Sequence, residues 1–203
     1  MGQAIRKFVS AVILTAAMTL QATAATTTWQ IDPAHTAAQF AVKHMMISTV
    51  RGEFKNVTGT VVWDDQDLTK SKVNVTIDTK TVNTGEEARD KDLKSDKFFD
   101  VANFPTMTFI SKKVETSGVG KLKVTGDLTI RGVTKEVVLD AEGPTAPIKD
   151  PWGNTRSAVS ATTHVNRQDF GVKWNANLDG GGVVVSDCVA ITIDLEMVKQ
   201  AAK

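Results

Sequence analysis

Histidine, cysteine and paired acidic residues are the groups with which a chain like this could do chemistry, and here they are few and scattered. The three histidines are His35, His44 and His164, and none stands in an H-E-x-x-H, a C-x-x-C or a comparable ligand spacing. No metal site is expected. The single thiol, Cys188, lies in Val-Ser-Asp-Cys-Val-Ala with no cation or second cysteine beside it to activate it, so it reads as an unreactive strand residue. There is no G-x-S-x-G elbow for acyl transfer. Asp169-Phe170-Gly171 spells a kinase magnesium triplet, but neither a glycine-rich loop nor a catalytic-loop motif accompanies it. The glycines 180–182 precede a strand rather than a helix that could hold a phosphate. No catalytic residue is expected.

Two histidines carry weaker signals. His44 shares parity with Phe40 and Val42, so an ideal strand points it to the same side as the apolar set. It would meet a ligand headgroup there, or cap the strand end against backbone. His35, in Asp32-Pro-Ala-His35, reads as a turn-stabilising residue. Met45 and Met46, with Phe98, Phe99 and Phe104, fit either a lid over a pocket or core filling.

Strands carry these groups almost throughout the chain. In the last segment Val183, Val185, Val189, Ile191, Ile193, Leu195 and Met197 share one parity, interrupted only by Asp187. Ser186, Cys188, Thr192, Asp194 and Glu196 occupy the other face, so one side meets a core and the other water. The pattern recurs along the chain, punctuated by turn signals such as Arg131-Gly132, Gly143-Pro144 and Asp150-Pro-Trp-Gly-Asn154. Eight strands are predicted, near 37–44, 53–63, 71–80, 105–115, 121–131, 133–142, 155–167 and 183–197. Long, one-side-wet strands hide their edges completely by closing into an all-β antiparallel barrel; a flat sandwich of shorter strands is the alternative. The spacing Thr84-Gly-Glu-Glu87 predicts a capping box opening a helix over 86–97, and a shorter helical turn is expected at 172–175.

The N-terminus reads as a leader. Arg6 and Lys7 form a positive n-region, Phe8–Leu20 is an apolar stretch too short to span a bilayer, and Ala22-Thr23-Ala24 offers a cleavage site after residue 24 or 25. Residues 25–203 then form one domain, exported to the periplasm. The full chain has 203 residues, with 24 basic against 23 acidic side chains and a formal net charge of +1. That balance leaves no surplus to neutralise a phosphate backbone, so nucleic acid is not an expected partner. Inward positions are mostly Val, Ile, Leu, Ala and Gly, and an eight-stranded barrel lined by small residues has room for one small ligand. A long apolar chain inside it gains up to ~0.8 kcal/mol per buried CH₂ before ordering costs.

Taken in order, Ile31-Asp-Pro-Ala-His-Thr36, Phe40-Ala-Val-Lys-His44, Ile47-Ser-Thr-Val-Arg-Gly-Glu-Phe54, Lys97-Phe-Phe-Asp100 with Phe104-Pro105, Gly126-Asp-Leu-Thr-Ile-Arg-Gly-Val-Thr134 and Asn166-Arg-Gln-Asp-Phe-Gly171 resemble the successive blocks of the YceI-like family. The resemblance covers nearly all of the mature chain. It implies a small secreted bacterial protein with a lipocalin-like, extended antiparallel β-barrel whose hydrophobic pore binds a polyisoprenoid, such as an isoprenoid quinone, or another long-chain amphiphile. It implies no catalytic residues and no cofactor other than that bound lipid.

Strand parity then assigns Phe40, Val42, Met107, Phe109, Leu128 and Ile130 to the pore wall, Phe98, Phe99 and Phe170 to its ends, and His44 to a mouth. Two other functions are weighed against a lipid carrier or reservoir. An enzyme modifying such a lipid would need polar groups converging inside the barrel, for instance His44 with Asp187. A stress-related interaction protein would have a solid barrel. No permanent membrane span is expected; a homodimer and a membrane redox protein are the further partners compatible with this reading.

Overall fold

The computed structural model describes residues 26–201. The leader assigned to 1–24 lies outside them. Eleven strands form: β1 Thr26–Ile31, β2 Ala37–His44, β3 Ser48–Phe54, β4 Val57–Asp64, β5 Lys72–Asp78, β6 Thr106–Gly118, β7 Lys121–Ile130, β8 Val133–Glu142, β9 Ile148–Lys149, β10 Thr155–Asn166 and β11 Val185–Lys199. Pairing runs β1-β4-β5-β6-β7-β8-β10-β11 and closes from β11 back to β1, every ladder antiparallel. This is the eight-stranded closed barrel that the alternation predicts. Closure pairs most of the edges that strands of this length would otherwise expose, while β3 keeps β2 as its one ladder partner.

Two strands of the ring are kinked. β11 pairs with β10 from Asn166 to Arg156 on one side; on its other side it meets β2 through Asp194 and then β1 from Met197. β1 and β2 therefore act as one bent strand, and β3 and β4 as its bent neighbour, joined by the β2–β3 ladder and the β1–β4 ladder. The segment predicted as one strand over 53–63 breaks at Asn56, whose φ of 55° no extended strand accommodates. β1 itself lies ahead of the first predicted strand. Its Trp29 and Ile31 are both buried in the core.

The bend between β1 and β2 is built by Asp32–Thr36. Asp32 accepts from the Ala34 amide at 3.0 Å and pairs with His35 Nδ1 at 2.9 Å, so His35 does stabilise a turn. The Thr36 hydroxyl donates to the Glu196 carbonyl and accepts from the Glu196 amide, standing in for a missing ladder bond. Arg156 ties this bend to β10, β11 and the 150–154 turn. Its Nη1 donates to Asp32 and Glu196, both at 2.6 Å, and its Nε to Asp150 at 2.7 Å. Hydrogen bonds from Arg156 first, and from His35 second, lower the Asp32 pKa to about 2; Arg156, then Asn154, do the same for Asp150.

A carboxylate whose folded pKa is depressed stabilises the fold above its unfolded value and loses that contribution as pH falls. Stability should therefore decline between about pH 3.8 and pH 2. Arg156→Met should lower Tm at pH 7 and flatten that acid slope in thermal melts. Parallel wild-type and variant curves would remove Arg156 from this role.

Up-and-down connection puts the 45–47 turn, the long 79–105 crossover, the 131–132 turn and the 167–184 segment at one end of the barrel. α1, Glu87–Lys94, lies in that crossover at the barrel end. It is shorter than the predicted 86–97. The Glu86 carboxylate accepts from the Ala88 amide as N-cap, while the Thr84 hydroxyl donates to Asp90 at 2.6 Å instead of capping. The helix stops at Ser95, whose hydroxyl donates to the Asp92 carbonyl, and the chain turns to bury Phe98. The helical turn expected at 172–175 does not form. A 3₁₀ turn occupies Arg167–Phe170 instead, ended by Gly171 at φ 77°, and the carbonyls of Val172 and Trp174 are drawn to Arg167. Among the described residues no helix is long and apolar enough to cross a membrane.

Candidate functional site: the apolar interior of the barrel

The inward residues of the ring do not meet across the axis. They leave a cavity of about 230 Å³ lined almost entirely by apolar side chains. It is not a solid barrel. The wall follows the strand period: Val73, Val75 and Ile77 on β5; Leu122, Val124, Leu128 and Ile130 on β7; Val137, Leu139 and Ala141 on β8; Val159, Ala161, Thr163 and Val165 on β10. It runs from Trp63 and Leu122, near one end, to Phe98 and Phe170 at the other.

Phe40, Val42, Phe98, Phe99, Met107, Phe109, Leu128, Ile130 and Phe170 all lie in this wall. His44 does not: it ends β2 half-buried and is not among the lining residues. Phe54, Val57, Val61 and Trp63 also line the wall but escape simple parity, because the bend at Asn56 resets the alternation. Val114 escapes it too. A register shift between Ser111 and Lys113 moves β6 from odd inward residues, Met107 and Phe109, to an even one.

A second shift explains Asp187. β11 slips against β2 between Val185 and Val189, so Asp187 leaves the inner face and is exposed. There it accepts from Gln168 Nε2 at 2.6 Å and from Arg167 at 3.3 Å. His44 and Asp187 therefore do not converge inside the barrel. His164 and Cys188 are exposed on outer faces, and the turn residues Met45 and Met46 are exposed rather than lidding the cavity or filling the core.

Two phenyl rings are held against the wall by glycine. Phe40 pairs directly with Gly52 across β2–β3, and a methyl group on Gly52 would overlap its ring. Gly126 on β7 faces inward beside Phe109 in the same way, and a methyl group there would also strike the Ile110 carbonyl. Glycine gives the rings room to lie back, which keeps aromatic bulk out of the lumen. Aromatic packing then runs around one end, tilted for Phe40–Phe54 and Phe98–Trp174, with ring centroids 5.7 and 5.4 Å apart, and edge-to-face for Phe54–Phe99 at 5.2 Å.

The one charged side chain in the wall is Arg167, and it is 7% exposed. All of its donor nitrogens are used. Nε donates to the Ser186 carbonyl, Nη1 to Val172 and Trp174, and Nη2 to Val185 and the Asp187 carboxylate. Burial pulls its pKa down from the usual guanidinium value, with Asp187 opposing that shift. A guanidinium so saturated has nothing left to offer a ligand. Its work is to clamp the 171–187 segment across the barrel end.

Outside the barrel, Asp32, His35 and Glu196 bring ligand-type atoms within 4.8 Å of one another. Arg156 already donates to both carboxylates, and its fixed positive charge disfavours a cation there. The cluster is an ion-pair hub.

Residues 29–197 match the model of the YceI-like domain. A UPF0312 protein of Vibrio parahaemolyticus is 36% identical over 165 residues, spanning 81% of this chain and 87% of its own length. The crystal structure of a Campylobacter jejuni YCEI protein is similar, with TM-score 0.66 and 34% identity over 78% of this chain and 90% of that one. A polyisoprenoid binding domain from Saccharophagus degradans superposes with TM-score 0.62 over 85% of this chain and 98% of its own, at 17% identity, a likeness of fold alone.

Proposed function

The chain belongs to the YceI-like family, and from that premise we propose that it is a non-enzymatic binding protein holding a polyisoprenoid, such as an isoprenoid quinone, or a similar long-chain amphiphile in its barrel. The observation that carries this is the wall: an elongated cavity lined by apolar side chains apart from Gln39, Ser71 and Thr163, with its one charged side chain fully occupied. Such a wall recognises a chain of methylenes and methyls by burial alone. A polar headgroup has no partner inside it, so the headgroup belongs at an end. The polyisoprenoid-binding domain of Saccharophagus degradans, which shares the fold, supports the ligand class. Among the described residues, Arg167 is the one titratable side chain lining the lumen. The leader sequence, Arg6-Lys7 followed by a short apolar run, supports a periplasmic carrier or reservoir.

Phe109→Asp tests the reading. The carboxylate enters the lumen between Val75 and Leu128, its neighbours on β5 and β7, and should abolish lipid copurification while the folded barrel persists by circular dichroism. An unchanged lipid load in the folded variant would take Phe109 out of the site.

A further inference from the structure

The tip of the β2–β3 hairpin is Met45, Met46 and Ile47, which are 40%, 54% and 82% exposed. None of the three lines the cavity or joins the core. Met45 and Met46 both adopt left-handed backbone, with φ of 51° and 61°. Glycine, asparagine and aspartate are the residues suited to that conformation. Neither the turn nor internal packing therefore accounts for three adjoining apolar side chains in water.

The surroundings indicate what does. From Gln39 to Arg51 the hairpin carries Lys43 and Arg51, both exposed, and no carboxylate. Among the described residues neither cation enters an ion pair. The Met45 amide donates to the Val184 carbonyl at 2.7 Å, so the tip adjoins Val185, which with Val42 ends the cavity wall on these two strands. On the neighbouring segment Trp174 is 36% exposed and packs its ring on Phe98, another wall residue. At the opposite barrel end the exposed apolar residues Val119, Ile148 and Trp152 stand on separate turns or strands. Single exposed apolar residues are ordinary; a contiguous trio beside two free cations is not.

We propose that Met45–Ile47, flanked by Lys43 and Arg51, seat this end of the barrel on a membrane surface bearing anionic phospholipid. Apolar side chains enter the acyl boundary while lysine and arginine meet phosphate, the arrangement by which peripheral proteins hold to membranes. The inference rests on the proposed lipid-binding function: a ligand that lives in a bilayer must leave it at a surface, and the tip brings the lumen's end to that surface.

The test uses the chain without its leader and co-sedimentation with vesicles of phosphatidylethanolamine and phosphatidylglycerol. Wild type and Trp152→Ser should sediment with the vesicles, and a Met46→Asp/Ile47→Asp double variant should lose about tenfold or more of its partitioning. The double variant should melt like wild type and still load isoprenoid quinone delivered in detergent micelles. Wild type that loads quinone from micelles yet stays off vesicles overturns the docking surface and leaves the binding function standing. Loss of vesicle binding with Trp152→Ser instead of the tip variant overturns it in favour of the other end. Tip substitutions that change only the mass of the free protein in sedimentation velocity overturn it in favour of a second copy as the occupant.

Discussion

An Arg167→Met variant loses about 3–5 kcal/mol of stability, the scale on which removing one partner of a buried charged network acts. Four carbonyl oxygens, those of Val172, Trp174, Val185 and Ser186, and one carboxylate lose their donor together. Methionine keeps much of the side-chain volume, so the deficit is in hydrogen bonding rather than packing. The 171–187 segment is what those bonds hold, and with it go Val172 and the Trp174 ring from the barrel end. Amide exchange should therefore rise first at 171–187, ahead of β7 and β8. Arg167→Lys should fall between the two proteins, because a compact ammonium cannot span acceptors arranged for a planar fork. Urea denaturation of the three proteins measures the effect; a methionine variant as stable as wild type would mean that the clamp is ornamental.

Ala161→Phe should empty the barrel of ligand and leave it folded. Ala161 on β10 pairs with Ala141 on β8, and both side chains face the cavity. A phenyl ring at 161 enters existing space beside another alanine, so the ligand-free protein should hold or raise its Tm. Occupied space is lost to the ligand, and affinity for an added isoprenoid quinone should fall about a hundredfold, close to 2.7 kcal/mol. Calorimetry and thermal melts of the stripped protein read the two quantities separately. Undiminished binding by a folded variant would place the ligand outside the lumen.

Much of the barrel was legible because period two is set by backbone geometry alone. On β7, β8, β10 and most of β11 the inward set follows from residue order, and Leu128 and Ile130 fall in the wall where parity puts them. Parity fails where one strand gains residues against its neighbour. The shift between Ser111 and Lys113 hid Val114, and that between Val185 and Val189 turned Asp187 from an apparent inward charge into an exposed one. Neither bulge has a local residue signature. The bends at Asp32–Thr36 and Asn56 had one, in Asp-Pro and in a lone asparagine, yet a bend that preserves ring order looks in sequence like an ordinary turn. Arg167 stands in the Asn166-Arg-Gln-Asp-Phe-Gly171 block that carries the family resemblance, but nothing in that block marks it as a clamp. Its acceptors are mostly backbone carbonyls five to nineteen residues away, and carbonyls are the same in every residue.

The site's aromatic residues show the same division. Phe40 and Phe109 could be placed on the inner face from alternation, but that their rings lie back over Gly52 and Gly126 depends on which strand is the neighbour and in what register. The openness of the lumen is thus a property of strand pairs.

Whether the lumen holds an isoprenoid chain is read by native mass spectrometry of the protein purified from its own host, with organic extraction and identification of whatever it releases. One isoprenoid lipid per chain is expected, lost when the protein is denatured. A bare polypeptide that also refuses added quinone would mean that the lumen is not a lipid site.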